Sequence, residues 1–513
     1  NVNQVKTVTY PNGIQLTYQR DSRSRITDIA LTHTSLTGSQ NIVNSIQYRA
    51  DNLPTAMTLG NGLQEIKTYD LQGRLTTQQL DALMSRAYSY DANGNVLAVD
   101  TNNEDPTYQY DAVDRITQET GILESAFTYD ANSNRLTQTL NAEEIAYSYT
   151  ANTNQLVKVG DTNLTLDTAG NTLTDGVKQF SYNYRNQLKS YGVNGSNVAN
   201  YQYNFASLRT QKNVTSGDAN LYHYDLAGRR IQHDENNQNN TSTIYLGWQP
   251  VAHIQHATNG DIASITYLTG DQIGSTRLGT NQNKAVVWSW EADAFGTVEP
   301  NNNPDGDLQF IEIENRFIGH YYDQESGLAY NWHRYYDAKK GRYVTSDPIG
   351  LIGGLNTYGY VNQNPLAYTD STGLIIDTIA DIGFVLYDLY RIAADNIFSD
   401  CDNLGTNLAA LGADVAAIFV PFATGAGPAV RAGKSIDNAV DASKTVDNAA
   451  DTAKAVDKAA DAAKLNKTAD AGADASTLSS RAARRKAMRD RNVPTSRSTN
   501  TQKQNSNGTM QLA

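Results

Sequence analysis

Apolar and polar residues alternate along most of the first half of the chain, in short runs separated by turn residues. Residues 87–90 (AYSY) alternate as a strand with one buried face does. Residues 91–95 (DANGN) follow with turn chemistry, because Asp and Asn side chains bond nearby backbone and Gly accepts a positive φ. Residues 96–99 (VLAV) fit the return strand. The pattern predicts a β-hairpin.

This hairpin pattern recurs at regular intervals, usually with a tyrosine at the end of its first strand. A single hairpin is marginally stable, whereas successive hairpins that pair with one another bury a continuous face. We therefore predict one long antiparallel sheet over residues 1–250, coiled into a strip. The repeat positions are Tyr48, Tyr69, Tyr90, Tyr110, Tyr129 and Tyr149, continued less regularly by Leu166, Tyr184, Tyr203 and Tyr224.

The periodicity changes after Leu374, where apolar residues recur every three or four positions, which is typical of a helix. Residues 415–430 are uncharged but too short to span a bilayer and contain two prolines, so a buried helix and turn is expected there and membrane contact is not. A basic run at 481–497 is interpreted as a solvated tail. The expected fold is mainly β, followed by an α-helical C-terminal region.

Four regions follow from these patterns: a repeat sheet (1–250), a core (251–374), a helical region (375–434), and an Ala/Asp-rich helix with a basic, partly disordered tail (435–513). The chain starts without Met or a signal-like segment, and we expect it to be a fragment whose export signal lies upstream.

The amino-acid composition of the chain excludes some classes of function. The chain has 41 Lys+Arg and 54 Asp+Glu, a net charge of −13, which argues against a general binder of nucleic acid or anionic membranes. Its single cysteine, Cys401, excludes a disulfide framework or a Cys-rich metal site within the chain. Tyrosine is abundant, at 31 against 10 phenylalanines, and suits half-buried sheet positions.

Residues 315–374 carry a dense set of aromatic, Gly, Asp and Arg positions. This stretch resembles the core motif of the Rhs/YD-repeat polymorphic toxins, a family that includes the C subunits of insecticidal toxin complexes. The resemblance implies that the repeat strip winds into a hollow shell. The matching positions are Arg316-Phe317, Gly319, Tyr321-Tyr322-Asp323, Gly327-Leu328, Tyr330, Arg334-Tyr335-Tyr336-Asp337, Gly341-Arg342-Tyr343, Asp347-Pro348-Ile349-Gly350-Leu351, Gly354, Asn356, Tyr360 and Asn364-Pro365.

The same resemblance implies that the core is an aspartic protease that cuts its own chain. Carried over by motif, Asp347 and Asp370 are the two carboxylates, Arg334 is the supporting cation, and the bond cut is Leu374–Ile375. An aspartic mechanism needs two carboxyl groups that share one proton. From the residues alone, both aspartates could equally be turn residues.

One residue departs from the family pattern: the second motif, DSTGL at 370–374, has Ser371 where the family has proline. Because proline fixes φ, its replacement is expected to slow cleavage without removing either carboxylate.

Beyond Leu374 there is no histidine, which excludes a His-dependent nuclease or a zinc deaminase within 375–513. No cofactor is expected. The resemblance implies a secreted or surface-associated bacterial protein whose partners are an immunity protein, a secretion apparatus and the rest of the shell. Two alternatives stay open: an uncut adhesion or carbohydrate-binding module, and an orphan cassette without an active toxin.

Overall fold

The computed structural model describes residues 4–217, 219–236 and 240–376, together with the backbone of Met510–Gln511. Within these residues the protein is built from β-strands and two 3-10 helices, Gly350–Gly353 and Val361–Gln363, with no α-helix. The mainly β prediction is therefore confirmed. The helices predicted after Leu374 lie outside the described residues.

Antiparallel hairpins that follow the order of the chain form the first sheet, in which each strand pairs with the next. Its strands are β1 Thr7–Thr9, β2 Gln15–Arg20, β3 Ile26–Thr32, β4 Gln40–Tyr48, β5 Pro54–Leu59, β6 Gln64–Tyr69, β7 Leu75–Leu80, β8 Met84–Tyr90, β9 Val96–Thr101, β10 Thr107–Tyr110, β11 Ile116–Thr120, β12 Ser125–Tyr129, β13 Arg135–Leu140, β14 Glu143–Tyr149, β15 Leu156–Val159 and β16 Thr162–Asn163.

A second antiparallel sheet follows, and a small four-stranded sheet lies in the core region. The second sheet contains β17 Thr165–Leu166, β18 Thr172–Thr174, β19 Lys178–Tyr182, β20 Leu188–Val193, β21 Ser196–Tyr203, β22 Arg209–Val214, β23 Ala219–Tyr224, β24 Arg230–Glu235, β25 Thr241–Leu246, β26 Gln249–His256, β27 Ile262–Gly270, β28 Thr276–Thr280 and β29 Val286–Ser289. The small sheet contains β30 Tyr321–Asp323, β31 Leu328–Asn331, β32 Arg334–Asp337 and β33 Arg342–Tyr343. A last strand, β34 Met510–Gln511, runs parallel to β1.

The repeated tyrosines join each hairpin to the one before it. The hydroxyl of Tyr90, at the end of β8, donates a 2.7 Å hydrogen bond to the carbonyl of Leu75 at the start of β7. Phenylalanine could fill the same space but could not make this bond, which accounts for the excess of tyrosine. The same bond is made by Tyr48, Tyr69, Tyr110, Tyr129, Tyr149, Tyr182, Tyr203, Tyr224 and Tyr245.

The acidic residue after the tyrosine builds the turn. Asp70 Oδ1 accepts the backbone N–H groups of Gln72 and Arg74, each at 2.9 Å. The Arg74 guanidinium then bonds Asp70 Oδ2 at 2.6 Å and the carbonyl of Asp91, in the next turn, at 3.1 Å. Each such turn is therefore fixed internally and linked to its neighbour.

Two details of the repeat prediction were wrong. Tyr184 is not a repeat position, because it is 91% exposed in a turn, and Tyr182 makes the inter-hairpin bond instead. The strip is also not one continuous sheet, since it breaks between β16 and β17. Close to this break the N–H of Thr172, in β18, donates to the carbonyl of Val344, so the core also bonds the first strands of the second sheet.

Buried side chains connect the core region to both large sheets. Phe295 packs edge-on against Phe127 of the first sheet, with ring centroids 5.1 Å apart. Arg209 of the second sheet pairs through both terminal nitrogens with Asp323 of β30, and both side chains are almost completely buried. The core is thus held between the faces of the two sheets. No helix in the described part of the chain is long and apolar enough to cross a membrane.

Candidate active site

The β31–β32 hairpin presents the predicted cation. Its turn residue Trp332 has a φ of 47°, and Arg334 begins the return strand. The Arg334 guanidinium lies over the ring of Tyr343, with its central carbon 3.7 Å from the ring centroid. This stacking and the surrounding burial fix the orientation of a side chain that would otherwise be flexible.

Both predicted carboxylates meet at Arg334. The Nη2 atom of Arg334 lies 3.0 Å from Asp347 Oδ2 and 3.0 Å from Asp370 Oδ2. The two carboxyl groups therefore share one nitrogen neighbour, which holds them side by side. The side chains of all three residues are at most 4% exposed. Residues far apart in the sequence are thus brought into one buried cluster, as the motifs predicted.

Asp347 lies in an environment that makes its carboxyl group easier to protonate than that of an ordinary aspartate. Burial raises its pKa to about 6, against the opposing effect of Arg334, and the charge of Asp370 adds to the rise. Its Oδ1 atom accepts one backbone hydrogen bond, from Ile349 at 2.9 Å.

Asp370 faces the predicted cleavage bond directly. Its Oδ1 atom accepts the N–H of Leu374 at 2.9 Å and the N–H of Ile375 at 3.3 Å, and the second of these belongs to the bond itself. Its Oδ2 atom accepts the hydroxyl of Tyr343 at 2.8 Å in addition to Arg334. Each oxygen of this carboxylate therefore has two donors.

The turn before the cleavage bond is held along its length. Arg334 Nε donates to the carbonyl of Gly373, and the Nδ2 atom of Asn331 donates to the carbonyl of Asp370 at 2.7 Å. His333 lies beside the carbonyl of Thr372, with its Nδ1 atom at 3.0 Å.

Two glycines allow the turn to approach the core closely. A Cβ added at Gly319 would clash with the carbonyl oxygen of Ser371, and one at Gly373 would clash with that of Asn331. Both glycines also have a positive φ. Ser371, the residue that departs from the family pattern, is 4% exposed and lies against Gly319.

Gly353 lies beside both Asp347 and the carbonyl of the cleavage bond. A Cβ added there would clash with Asp347 Oδ2 and would lie 2.9 Å from the carbonyl oxygen of Leu374. One methyl group would thus touch both oxygens, so both border the space beside Gly353. A cavity of about 170 Å³ lies nearby and is lined partly by Gly353, Asp370 and Leu374. It has room for water, which needs only about 10–15 Å³ of such space.

Several contributors were not singled out from the sequence. Tyr343 lies in the matched GRY motif, but only the fold shows its hydroxyl on Asp370. Asn331 and Gly353 gave no sequence signal of this role. Within the described residues no group of three or more His, Cys, Asp or Glu side chains could hold a metal ion.

Comparison with known proteins places the fold and the motif in a family. The Teneurin YD-shell family profile matches residues 41–122 and 102–366. The probable deoxyribonuclease RhsB of Dickeya dadantii is 28% identical over 343 residues, covering 62% of this chain and 23% of that protein. The toxin protein Tse5 of Pseudomonas aeruginosa is 38% identical over 117 residues, covering 23% of this chain and 8% of that protein. The chain thus spans under a quarter of the length of these relatives.

Among solved structures, the Tc holotoxin pore of Photorhabdus luminescens superposes with a TM-score of 0.61 and 19% identity, over 73% of this chain and 21% of that chain. At that identity the likeness shows a shared fold. Because the family profile extends over residues 41–366, more than half of the sequence, the chain belongs to the YD-shell family of Rhs/YD-repeat proteins.

Proposed function

We propose that this chain is part of a toxin carrier that cuts its own Leu374–Ile375 bond by aspartic hydrolysis. One observation supports this most strongly. Asp370 Oδ1 lies 3.3 Å from the nitrogen of the bond, while Asp347 Oδ2 and the carbonyl oxygen of Leu374 lie against the same point of Gly353. Two carboxyl groups at the two polar ends of one peptide bond are what hydrolysis of that bond requires.

The roles follow from the two environments. Asp347, whose pKa burial raises to about 6, acts in its protonated form and then donates a hydrogen bond to the carbonyl oxygen of Leu374. Asp370 is the carboxylate that removes a proton from a water molecule in the adjoining cavity. This water takes the place of the long 3.3 Å contact between the Oδ1 atom of Asp370 and the N–H of Ile375. The water oxygen attacks the carbonyl carbon of Leu374 and forms a tetrahedral intermediate.

Collapse of this intermediate breaks the carbon–nitrogen bond. Asp370 passes the proton taken from water to the nitrogen of Ile375, which its Oδ1 atom already contacts. The products are a carboxyl group on Leu374 and an amine on Ile375, so the reaction consumes one water. Arg334 balances the negative charge that the two carboxyl groups and the intermediate share.

In this proposal the repeat sheet (1–250) and the core (251–374) form part of the shell, and cleavage frees the segment 375–513. Two relatives are named as a toxin and a probable deoxyribonuclease, which supports a role in carrying toxins. Secretion, an immunity protein and a secretion apparatus belong to the same proposal.

The test is the intact mass of the purified, denatured chain, compared with the variants Asp347→Asn and Asp370→Asn. Cleavage gives two species, one containing residues 1–374 and the other residues 375–513. Each variant is expected to give a single full-length species, because each removes one carboxyl group. The matched control is Asp305→Asn at an exposed loop position, which should be cut like the wild type.

A wild-type chain that remains uncut would overturn the proposal and favour the uncut adhesion or carbohydrate-binding module. Cutting at another bond would overturn the assignment of Leu374 and Ile375. Cutting that persists in either aspartate variant would remove that residue from the mechanism.

A further inference from the structure

The cavity beside the cleavage bond is not built by the core alone. Its wall also contains residues 131–133, which form the turn between β12 and β13 of the repeat sheet. The core loop 353–356, which includes Gly353, also lines the cavity. A repeat that is distant from Leu374 in the sequence thus contributes to the surroundings of the cleavage bond.

Two hydrogen bonds fasten the core loop to this repeat and to the following turn. The Nδ2 atom of Asn356 donates to Asn134 Oδ1 at 3.0 Å. The Nδ2 atom of Asn154 donates to the carbonyl of Leu355 at 2.9 Å. Asn134 also donates to Asn154 Oδ1 at 2.9 Å, so the three asparagines form a chain of hydrogen bonds that ends on the loop.

Asn134 occupies a position that differs among the repeats. Four residues after the turn-forming aspartate, some repeats carry arginine and others asparagine. The arginine reaches the carbonyl of the next turn, as Arg115 reaches that of Asp130 at 2.7 Å. The asparagine is too short for this. Asn134 instead donates to the side-chain oxygen of Asn154 in the next turn, and its own Oδ1 atom accepts the core amide of Asn356. The arginine positions are Arg25, Arg74, Arg115 and Arg229, and the asparagine positions are Asn95, Asn134 and Asn171.

A second asparagine repeat also accepts a hydrogen bond from a core amide. The Nδ2 atom of Asn364, in the core, donates to Asn95 Oδ1 at 2.8 Å and to the carbonyl of Asp114 at 2.9 Å. At the third, the hydroxyl of Tyr358 donates to the carbonyl of Gly170, the residue before Asn171. Core side chains therefore donate hydrogen bonds to the turns of all three asparagine repeats, and the core also lies against other turns, as Trp332 does at Gly228 in the Arg229 repeat.

The position of the fastened loop matters for the chemistry, because Gly353 lies beside both Asp347 and the carbonyl of Leu374. A small shift of the loop would change the distance between these two groups, and misplacements of about 1 Å can cost about a hundredfold in rate.

We propose that Asn134 and Asn356 are positioning residues for self-cleavage, so that the bond is cut only when the asparagine repeats of the strip have docked against the core. The inference rests on the proposed function. It adds that the repeat sheet completes the cleavage site as well as enclosing it.

Asn356→Asp is the most informative variant. It keeps the side-chain oxygen that accepts the N–H of Tyr358 at 3.1 Å, but an ionised Asp cannot donate to Asn134. Translation of the full chain in a cell-free system, with timed samples, measures the cleavage rate. We expect this rate to fall at least about tenfold at neutral pH, on the scale of a lost positioning contact.

The pH dependence separates positioning from general damage to the fold. A protonated Asp has the shape of Asn and again carries a donor, so the ratio of variant to wild-type rate should rise as the pH falls towards the ordinary Asp pKa of about 3.9. A variant that was merely misfolded would show no such recovery.

Asn134→Arg provides a second test. The neighbouring repeats show that the turn accepts arginine, so the hairpin should fold while its bond to Asn356 is lost. Its matched control is Arg74→Asn, the reverse exchange in a repeat whose arginine bonds only its own and the next turn. We expect Asn134→Arg to cut at least about tenfold more slowly and the control to cut at the wild-type rate.

Wild-type rates in both Asn356→Asp and Asn134→Arg would overturn the positioning role while leaving the aspartic mechanism intact. An uncut wild type would overturn the proposed function and this inference together. Equal slowing in Arg74→Asn would show that any disturbed repeat impairs cleavage, which would also contradict a specific role for Asn134.

Discussion

Asp370 Oδ1 lies 3.3 Å from the backbone nitrogen of Ile375, five residues further along the chain. The intervening turn folds back so that a side chain contacts the peptide bond after its own motif. A turn-forming aspartate normally caps N–H groups two to four residues ahead, as Asp70 does in the repeats. The additional contact with Ile375 distinguishes the arrangement at Asp370 from those turns.

The rate of cleavage should depend on pH through Asp347. Burial raises the pKa of this carboxyl to about 6, and the mechanism needs its protonated form. Cleavage should therefore be fastest below about pH 6 and fall about tenfold for each pH unit above it. Refolding the denatured full chain at a series of pH values and following the product that ends at Leu374 measures this dependence. A rate that increases from pH 6 to 8 would show that Asp347 does not act as the proton donor.

Arg334→Lys should abolish most of the cleavage although it preserves the charge. The guanidinium bonds Asp347, Asp370, and the carbonyls of Gly373 and Thr357 through three nitrogens, and a single ammonium group cannot reach all four. We expect a loss of about a hundredfold, as for other removed electrostatic contacts in active sites. The control is Arg23→Lys in an exposed turn. Undiminished cleavage by Arg334→Lys would mean that charge alone is sufficient.

Gly353→Ala should block cleavage by steric contact. The added methyl group would clash with Asp347 Oδ2 and would meet the carbonyl oxygen of Leu374 at 2.9 Å, so it would force the two groups apart. We expect a loss of at least about a hundredfold, measured as the full-length fraction over time. Gly38→Ala is the control, since nothing lies within 4 Å of its added Cβ. If Gly353→Ala were cleaved at the wild-type rate, the loop that contains Gly353 would have to move aside for the added methyl group, and the predicted steric block would be wrong.

Tyr90→Phe should weaken the repeat sheet without affecting its packing. The exchange removes the 2.7 Å bond to the carbonyl of Leu75, and a typical net contribution of such a bond is about 0.5–1.5 kcal/mol. The midpoint of urea unfolding, followed by circular dichroism, is expected to decrease accordingly. Tyr184→Phe is the matched control, because its side chain is exposed and should be nearly neutral. Equal effects of the two changes would contradict a role for the hydroxyl bond between hairpins.

The sequence predicted the repeat unit well because the alternation and the turn chemistry are local. Residues 87–99 form the predicted strand, turn and return strand, as β8 and β9. The less regular repeats were harder to predict from the sequence. Tyr182 and Tyr184 both fit the approximate spacing, and only burial distinguishes them. The break between β16 and β17 could not be predicted, because the repeat spacing continues through it from Tyr149 to Leu166.

At the candidate site the motifs identified the charged residues but not their supports. Asp347, Asp370 and Arg334 were predicted from the family resemblance, and the fold brings them together. Asn331 and Gly353 could not be found this way, because their contribution depends on distances across the folded core. The repeat turn 131–133 was equally invisible, since nothing in its sequence points to Leu374.

The asparagine contacts also set the length of the strip between Asn95 and Asn134. Asn95 and Asn134 belong to different hairpins of the strip, with the β10–β11 hairpin between them. Their partners Asn364 and Asn356 lie in one short core segment, where the chain runs in the opposite direction. This core segment therefore fixes the number of hairpins that lie between Asn95 and Asn134. If one hairpin were inserted or deleted between Asn95 and Asn134, the remaining hairpins would still fold. The strip could then no longer form hydrogen bonds with both core asparagines at the same time. Repeat number should consequently be fixed within this interval.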